Sequence, residues 1–419
     1  LIKQLIRLLI FIQYMTKNKS IFKLIMENFL DQNFKNKRVI IRVDFNVPLS
    51  NDFKVTDSTR IEFSKRTIQE IINRGGKCIL LSHMGRPAGR EFKYSLSHIV
   101  YCVEEILGVS VKFCDDCIGN KAIKAVHSLK EGEVILMENV RFYPEEIKGD
   151  VDFARKLSQL GEYFVNDAFG SVHRAHSSTS IIADFFKGKK FAGILLEKEI
   201  KSIDRVLKNG ENPITAIVGG AKVSSKITVI ENLLERIDYL IIGGGMVYTF
   251  IKAKGGQIGD SICEDKFCEY SLKIIELANK KGVKLFLPED VVIGNKFSAK
   301  AEINFSSVYK IPSGWQGLDA GPKSIKTFSQ IIQKSNTILW NGPIGVFELE
   351  PFSKGTKILA EEIVKRTERG AFSLVGGGDS ISAVRKFGLS TGFSYISTGG
   401  GAMLEYLEGK KLPGILALI

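Results

Sequence analysis

An alternation of short apolar runs with stretches of helical periodicity, beginning at Asn36, restricts the fold of this 419-residue chain more than any other feature. Val39–Val47, Cys78–Ser82 and Tyr163–Asn166 are predicted strands, and segments of helical spacing separate them. Strands joined through helices pair in parallel and lie between two helical layers. The sequence therefore predicts an α/β protein that binds its ligands beyond the carboxyl ends of its strands.

The length of the chain predicts two domains, because 419 residues exceed what one hydrophobic core usually accommodates. Ile194–Leu207 has a strong amphipathic helix pattern and is followed by Asn209, Gly210 and Pro213, which marks a domain boundary. We expect two similar-sized domains, each a Rossmann-like parallel sheet flanked by helices, joined by a hinge helix. The expected divisions are an N-terminal extension (1–30), a first domain (31–195), an interdomain helix and hinge (196–213), a second domain (214–400) and a C-terminal segment returning to the first domain (401–419).

Five predicted strands of the second half end in glycine. These ends are Gly219-Gly220, Gly243–Gly245, Gly342, Gly376–Gly378 and Gly399–Gly401. In the stretch FSLVGGGDSISAV a buried strand breaks into glycines and restarts as a helix, which leaves backbone N–H groups free to bind phosphate. Asp379 could hold the Mg²⁺ that accompanies a nucleotide. The structural alternative is a tight turn capped by Asp379 or Ser380.

The first half carries cationic side chains at or between its predicted strand ends. Each arginine alone could form an ordinary surface ion pair, but several near one sheet edge favour a shared site for phosphate or carboxylate. His173 and His176 either shape the loop that carries Arg174 or bind a metal. The set consists of four arginines, Arg60, Arg86, Arg141 and Arg174, with His83 beside them.

The net charge of +13 favours anionic partners, which leaves nucleic acid, a membrane surface and phosphorylated metabolites as candidates. A single-strand nucleic-acid surface would interleave basic and exposed aromatic residues, and no such run occurs. The absence of G-x-x-x-x-G-K-[ST] excludes a P-loop enzyme, and the absence of a G-x-G-x-x-G that opens a helix argues against a dinucleotide-dependent dehydrogenase.

The six cysteines are scattered and predict reduced, structural thiols, as in a cytoplasmic protein. Cys114 and Cys117 form one C-x-x-C, but no second pair lies at zinc-ribbon spacing. The spacing of Cys263 and Cys268 gives no reason to treat them as partners.

Residues 1–26 are basic and contain an apolar run, Leu5–Ile12, that is too short to span a bilayer. No small-residue cleavage site of a signal peptide follows. Two interpretations stay open: an extension upstream of the true start, or a targeting or membrane-surface segment. We expect a cytoplasmic protein, with organelle targeting by residues 1–26 not excluded.

Eight motifs, in this order along the chain, resemble those of phosphoglycerate kinase of the bacterial type. They are RVDFNVP (42–48), SHMGRP (82–87), LMENVRF (136–142), NDAFGSVHRAHSST (166–179), GGAKVSSKI (219–227), LWNGPIGVFE (339–348), GGGDS (376–380) and STGGGA (397–402). The similarity runs from Phe34 to the C-terminus. It implies a monomeric glycolytic enzyme without a membrane span or an obligatory nucleic acid. Its partners would be 3-phosphoglycerate or 1,3-bisphosphoglycerate and ADP or ATP, with Mg²⁺ as cofactor.

The resemblance also implies roles for individual residues. Those expected to bind phosphoglycerate are Asp44, Asn46, Arg60, His83, Arg86, Arg141 and Arg174. Those expected to bind the nucleotide are Lys226, Gly244, Gly317, Leu318, Asn341, Glu348, Gly377, Gly378, Asp379 and Ser380. Of these, Gly244 (with its neighbours Gly243 and Gly245), Gly317, Leu318 and Asn341 would wall the adenine pocket, and Glu348 would bind the ribose. Arg60, Lys222, Gly377 and Gly400 would act on the transferred group, and Asp379 would hold the metal.

Departures from the family pattern are few. Ser380 stands where threonine is also common, and Met84 where leucine is common, and both keep the same chemistry. In relatives a C-terminal tail packs on the first domain. The sequence stops soon after LPGILALI begins, so a few tail residues are expected to be missing.

Overall fold

The computed structural model describes residues 29–419, so the expectations for residues 1–28 lie outside the described part. The chain divides into two compact units. Unit 1 comprises the described residues up to Glu199 together with Lys411–Ile419, and unit 2 comprises Ile200–Lys410. These divisions differ by several residues from those drawn on the sequence. Within residues 29–419, no helix combines the length and apolar character that crossing a bilayer requires.

Unit 1 is built on a six-stranded sheet in which all neighbouring strands are parallel, in the order β3-β4-β2-β1-β5-β6. The strands β2 and β4 are short apolar runs with both faces buried, as expected for a sheet between helical layers. Their bounds are β1 (Arg38–Arg42), β2 (Lys77–Leu81), β3 (Val111–Cys114), β4 (Val134–Met137), β5 (Tyr163–Asn166) and β6 (Lys190–Ala192).

Six helices lie between these strands or directly after them along the chain. They are α1 (Thr59–Asn73), α2 (Val100–Leu107), α3 (Gly119–His127), α4 (Pro144–Lys148), α5 (Val151–Ser158) and α6 (Ile194–Leu207). The last of them, α6, begins in unit 1 and ends in unit 2.

The first predicted strand, Val39–Val47, is too long, because β1 ends at Arg42. Beyond it the chain leaves the ladder, and Phe45 N donates to Ser82 Oγ at 2.9 Å. Phe45 and its apolar neighbours remain in the hydrophobic core, which is why the run resembles a continuous strand. This departure from the sheet frees the residues after β1 to line its carboxyl edge.

Unit 2 contains a second six-stranded parallel sheet, in the order β10-β8-β7-β15-β16-β17, and two small sheets ordered β12-β11-β14 and β13-β9. The strands are β7 (Ile214–Val218), β8 (Tyr239–Ile242), β9 (Gln257–Ile258), β10 (Lys284–Phe286), β11 (Asp290–Gly294), β12 (Ile303–Ser307), β13 (Lys310–Ile311), β14 (Gln316–Ala320), β15 (Thr337–Asn341), β16 (Phe372–Gly376) and β17 (Tyr395–Ile396). The helices that follow α6 in unit 2 are α7 (Ile227–Leu233), α8 (Val247–Ala253), α9 (Cys268–Lys280), α10 (Pro322–Lys334), α11 (Lys354–Glu368), α12 (Gly378–Lys386) and α13 (Gly401–Leu407). The last helix, α14 (Pro413–Leu416), belongs to unit 1.

The five glycine-rich strand ends predicted from the sequence belong to β7, β8, β15, β16 and β17. These strands are consecutive neighbours in the sheet, in the order β8-β7-β15-β16-β17. Because all of them are parallel, their glycine-rich ends lie along one edge. The predicted α/β architecture of parallel sheets flanked by helices is confirmed.

The segment that contains α14 packs on unit 1 through backbone and side-chain contacts. Gly414 N donates to Val172 O at 2.8 Å, and Lys190 Nζ donates to Ala417 O at 2.6 Å. Leu412, Ile415 and Leu418 are buried. Unit 1 is therefore completed by residues from both ends of the described chain.

Candidate active site

The loops that follow β1 and β2 are tied together at the carboxyl edge of the sheet in unit 1. Arg60, in the first turn of α1, has its Nη1 3.3 Å from Asp44 Oδ1 and donates to Asn46 O at 2.9 Å. Asn46 Oδ1 accepts from Gly85 N at 2.9 Å. The Arg60 side chain remains 38% exposed, so its fixed guanidinium faces solvent as a positioned cation.

A buried arginine not predicted as a site residue lies beneath these loops. Arg42, the last residue of β1, is 1% exposed, and its Nε donates to Ser178 Oγ at 2.9 Å. Ser178 Oγ donates in turn to Glu146 Oε1 at 2.6 Å. Burial lowers the pKa of Arg42, whereas the negative charge of Glu146 raises it. The sequence signal for this pair was an arginine at the end of a buried strand, which needs a buried acidic partner.

His83 is held by this network in a defined tautomer. Arg42 Nη2 lies 3.1 Å from His83 Nδ1, and because arginine can only donate, Nδ1 accepts and Nε2 carries the proton. Burial, with the nearby positive charges of Arg42, Arg141 and Arg60, lowers the pKa of His83 well below its ordinary value. His83 is therefore a neutral hydrogen-bond donor at neutral pH.

Arg141 is a half-buried member of the predicted anion-binding arginines. Its Nη1 donates to Gly85 O at 2.7 Å, whereas its buried Nε finds no hydrogen-bond partner among residues 29–419. Burial lowers its pKa to about 10, and the positive charges of Arg42 and Arg86 act in the same direction. Like charges held close together repel each other unless an anion binds between them.

The remaining cationic residues complete this cluster. Arg86 and Arg174 are exposed, and the charge of Arg174 contributes to a lowered pKa of about 4 at His176, for which burial is the main cause. His176 Nδ1 lies 4.0 Å from Glu146 Oε1, inside the buried network. Within the described part of the chain, neither His173 nor His176 belongs to a group of three or more potential metal ligands.

Unit 2 carries two cavities at the glycine-rich edge of its sheet. One has a volume of about 470 Å³ and the other about 430 Å³. Gly220, Ala221 and Asp379 line both of them, so they form two parts of one groove. We call the larger part the nucleoside cavity and the smaller part the phosphate cavity.

The phosphate cavity is lined by Asn341 and by residues that the resemblance assigned to the phosphates, the metal or the transferred group, namely Lys222, Lys226, Gly377, Gly378, Asp379, Ser380 and Gly400. Lys226 Nζ donates to Asn341 Oδ1, and Asn341 Nδ2 donates to Gly376 O at 2.9 Å. Burial lowers the pKa of Lys226, and the carboxylate of Asp379 opposes this shift. Asn341, which the resemblance assigned to the adenine, lines this cavity rather than the nucleoside cavity.

The turn between β16 and α12 requires glycine at one position. Gly377 has φ 93°, and a Cβ added there would lie 2.9 Å from Asn341 Nδ2. The alternative of a side-chain-capped turn is wrong, since α12 has no side-chain cap. Ser380 Oγ instead accepts from Gly342 N at 2.6 Å, which ties this turn to the loop after β15. The first N–H groups of α12 are therefore directed at the cavity without a competing cap.

The nucleoside cavity is lined by Gly244, Gly317, Leu318 and Glu348, which the resemblance assigned to the nucleotide, and by several residues without an assigned role. Phe297 presents a 63% exposed ring at this cavity. Tyr248 lies beneath Gly317, where its hydroxyl occupies the space of any Cβ. An exposed aromatic ring beside apolar walls suits the face of a planar base. Neither residue lies at a glycine-rich strand end, so the pattern used on the sequence did not identify it.

The chain is similar to known proteins over most of its length. Residues 29–410 match the model of the family described as phosphoglycerate kinase. The phosphoglycerate kinase of Porphyromonas gingivalis is 49% identical over 410 residues, covering 92% of this chain and 98% of that protein. The cytosolic phosphoglycerate kinase of Triticum aestivum is 49% identical over 388 residues, covering 93% and 96%. The solved phosphoglycerate kinase of Coxiella burnetii is 40% identical with a TM-score of 0.85, covering 93% of this chain and 97% of that one.

The family model spans nearly the whole described chain, and the sequence relatives and the solved structure cover 92–93% of this chain. The family, the fold and the enzyme class predicted from the sequence are confirmed. This chain belongs to the phosphoglycerate kinase family.

Proposed function

We propose that this protein transfers a phosphoryl group reversibly between 1,3-bisphosphoglycerate and Mg²⁺-bound ADP, giving 3-phosphoglycerate and ATP, in glycolysis and gluconeogenesis. The observation that carries the proposal is the two-part groove of unit 2, in which Asp379 lines both the nucleoside and the phosphate cavity. The partly buried arginine cluster of unit 1 supplies the complementary site for a phosphorylated acid.

In unit 1 the substrate would be held from its two ends. Arg141, Arg86, Arg174 and the Nε2 proton of His83 would bind the phosphate of 3-phosphoglycerate. The unsatisfied Nε of Arg141 supports this role, because a bound phosphate oxygen would supply the missing acceptor. Asp44 and Asn46 would meet the hydroxyl and carboxylate region, with Arg60 at the carboxylate.

In unit 2 the nucleotide would lie along the groove. The base would pack in the nucleoside cavity, with Glu348 at its ribose, and the phosphates would receive N–H groups from the start of α12. Asp379 fits a Mg²⁺ ligand, since it is an exposed carboxylate placed where both cavities meet and Mg²⁺ prefers oxygen donors. The ion would neutralise phosphate charge when bound.

The residues present suit a reaction that needs positioning rather than proton transfer. The attacking carboxylate or phosphate oxygen is already ionised at neutral pH, so no general base is required. Arg60, Lys222 and the N–H groups of Gly377 and Gly400 would stabilise the charge of the transferred group and orient it in line. Removing one such donor lowers the rate by about 10²–10³-fold.

The transfer also requires that substrates bound to different units reach each other. We propose that α6, which begins in unit 1 and ends in unit 2, acts as the hinge for a closing motion. A decrease in the radius of gyration by small-angle scattering, when both substrates are added, is the expected result. An unchanged profile contradicts the hinge but not the chemistry.

The activity is tested with 3-phosphoglycerate and Mg-ATP in an assay coupled to acyl-phosphate formation. Arg60→Ala and Lys222→Ala should lower kcat by about 10²–10³-fold. Matched controls are Arg66→Ala, an exposed arginine of the same helix α1, and Lys326→Ala, an exposed lysine of α10 outside both cavities. Loss of activity in the controls, or a near-wild-type kcat in the site variants, contradicts the assigned roles.

We also propose a monomeric cytoplasmic enzyme. Relatives named as cytosolic support the location, although others are named as chloroplastic. Light scattering after size exclusion tests the monomer. Mass spectrometry of the native N-terminus establishes whether residues 1–26 are retained, and a processed start contradicts a purely cytoplasmic location.

A further inference from the structure

Two cysteines with no predicted relation lie together in unit 2, next to the nucleoside cavity. Cys263 Sγ, Cys268 Sγ and a carboxylate oxygen of Asp265 all lie within 4.8 Å of one another. Cys263 Sγ is 3.2 Å from Asp265 Oδ1. Their spacing in the sequence does not pair these cysteines; the loop between Ile258 and α9 brings them together at the first turn of that helix.

We propose that Cys263, Asp265 and Cys268 form a binding site for a thiophilic divalent cation of the Zn²⁺ class. Two thiolates and one carboxylate are a ligand set that favours Zn²⁺ over Mg²⁺ or Ca²⁺. A tetrahedral ion with bonds of about 2.3 Å to sulfur and about 2.0 Å to oxygen holds a sulfur and an oxygen roughly 3.5 Å apart. The separation between Cys263 and Asp265 is close to this value, and water would occupy the fourth position.

Binding is accessible and needs only small rearrangements. Both cysteines are half-buried, and the Asp265 side chain is 70% exposed. Lys252 Nζ pairs with Asp265 Oδ1 at 2.8 Å, and this exposed ion pair is weak enough to be exchanged for a bond to the cation. The two thiol protons pass to solvent when the ion binds, so the affinity should rise with pH.

The site is connected to the walls of the nucleotide groove. Ser261 Oγ accepts from Gly317 N at 2.9 Å, and Ile262 lines the nucleoside cavity. Glu264 accepts from Ser224 N at 2.9 Å and from Ser224 Oγ at 2.6 Å, in the loop that carries Lys222. A cation bound to Cys263, Asp265 and Cys268 would therefore restrain the segment 261–268, which borders the groove.

The test titrates the full chain with Cd²⁺, a spectroscopic substitute for Zn²⁺, in the presence of a phosphine reductant that keeps both thiols reduced. We expect one ion per chain and an ultraviolet thiolate-to-cadmium band. The band should be lost in Cys263→Ser and in Cys268→Ser, and retained in Cys102→Ser, a half-buried cysteine of α2. Zn²⁺ should displace Cd²⁺, whereas excess Mg²⁺ should not.

Two charge variants separate a built site from unspecific thiol binding. Asp265→Asn should weaken Cd²⁺ binding at least about tenfold. Loss of a residue that only supports a metal ligand already costs about 10–100-fold in affinity, and Asp265 would be a ligand itself. Lys252→Ala should strengthen binding, because it removes a competing cation from Asp265. Amide hydrogen exchange over residues 261–268 should slow when Cd²⁺ is added to the unmodified chain.

Absence of the band in the unmodified chain overturns the proposal. A band that survives both cysteine substitutions, or an affinity unchanged in Asp265→Asn, also overturns it. If a cysteine variant failed to fold, the Lys252→Ala comparison and the exchange measurement on the unmodified chain would still decide the question. None of these outcomes depends on the phosphoryl-transfer activity.

Discussion

Replacement of Gly377 by alanine should destabilise unit 2 by an amount that the geometry of the turn defines. With φ 93°, Gly377 occupies a backbone conformation that costs other residues about 1–3 kcal/mol. The new Cβ would lie 2.9 Å from Asn341 Nδ2 and push that side chain from its bond to Gly376 O. Losing this bond costs about 1 kcal/mol. The free energy of unfolding of unit 2 should therefore fall by about 2–4 kcal/mol.

Tryptophan fluorescence during urea unfolding is a selective assay for this effect. The chain has two tryptophans, Trp315 and Trp340, and both belong to unit 2. Trp340 is fully buried beside Asn341. The fluorescence transition thus follows unit 2 alone, while circular dichroism follows both units.

Gly378→Ala is the matched control, one residue further along. Gly378 is the first residue of α12, and a Cβ added there meets no atom within 4 Å. Because alanine favours a helix over glycine by up to about 1 kcal/mol, this variant should be as stable as the unmodified chain or slightly more stable. Equal fluorescence midpoints for Gly377→Ala and Gly378→Ala would refute the argument that this turn requires glycine.

Three further substitutions test buried groups. Glu146→Ala should lower the stability of unit 1 by about 3–5 kcal/mol, because it leaves the buried charge of Arg42 uncompensated; a loss below about 1 kcal/mol, measured by circular dichroism, would contradict this. Ser380→Ala should cost about 1–3 kcal/mol, since Gly342 N loses its acceptor, and an unchanged fluorescence midpoint would count against it. Burial raises the pKa of Asp319 in the folded protein from 3.8 to about 7, so the folded state holds a proton that the unfolded state releases at lower pH. The resulting contribution to the free energy of unfolding is present at low pH and is lost as the pH rises towards 7. Between pH 4 and pH 8 the unmodified chain should lose up to about 4 kcal/mol relative to Asp319→Asn, and parallel pH profiles would contradict the shift.

Much of the architecture could be predicted because buried parallel strands leave a strong local signal. The helix Ile194–Leu207 and the strand Tyr163–Asn166 have the bounds expected from the sequence. The glycine-rich strand ends were recognisable because their glycines follow shortly after the apolar residues of a buried strand. The end of β1 was misplaced because Phe45 is buried without being in the sheet.

Contacts between distant segments were beyond this kind of reasoning. Arg42 and Glu146 are 104 residues apart, and only the fold shows that they share Ser178. The sulfurs of Cys263 and Cys268 are also brought together by a loop that no periodic pattern describes. In each case the contact depends on how loops are placed in the folded protein, and hydrophobic periodicity carries no information about loop conformation.

The packing of α14 on unit 1 has a consequence for how the chain is made. Translation delivers the first 199 residues early, but Gly414, which bonds to Val172, emerges from the ribosome only after all of unit 2. Until then the surface around Val172 and Lys190 lacks the residues that cover it. This surface of nascent unit 1 therefore stays exposed while unit 2 is synthesised. During that interval the exposed surface is accessible to a chaperone.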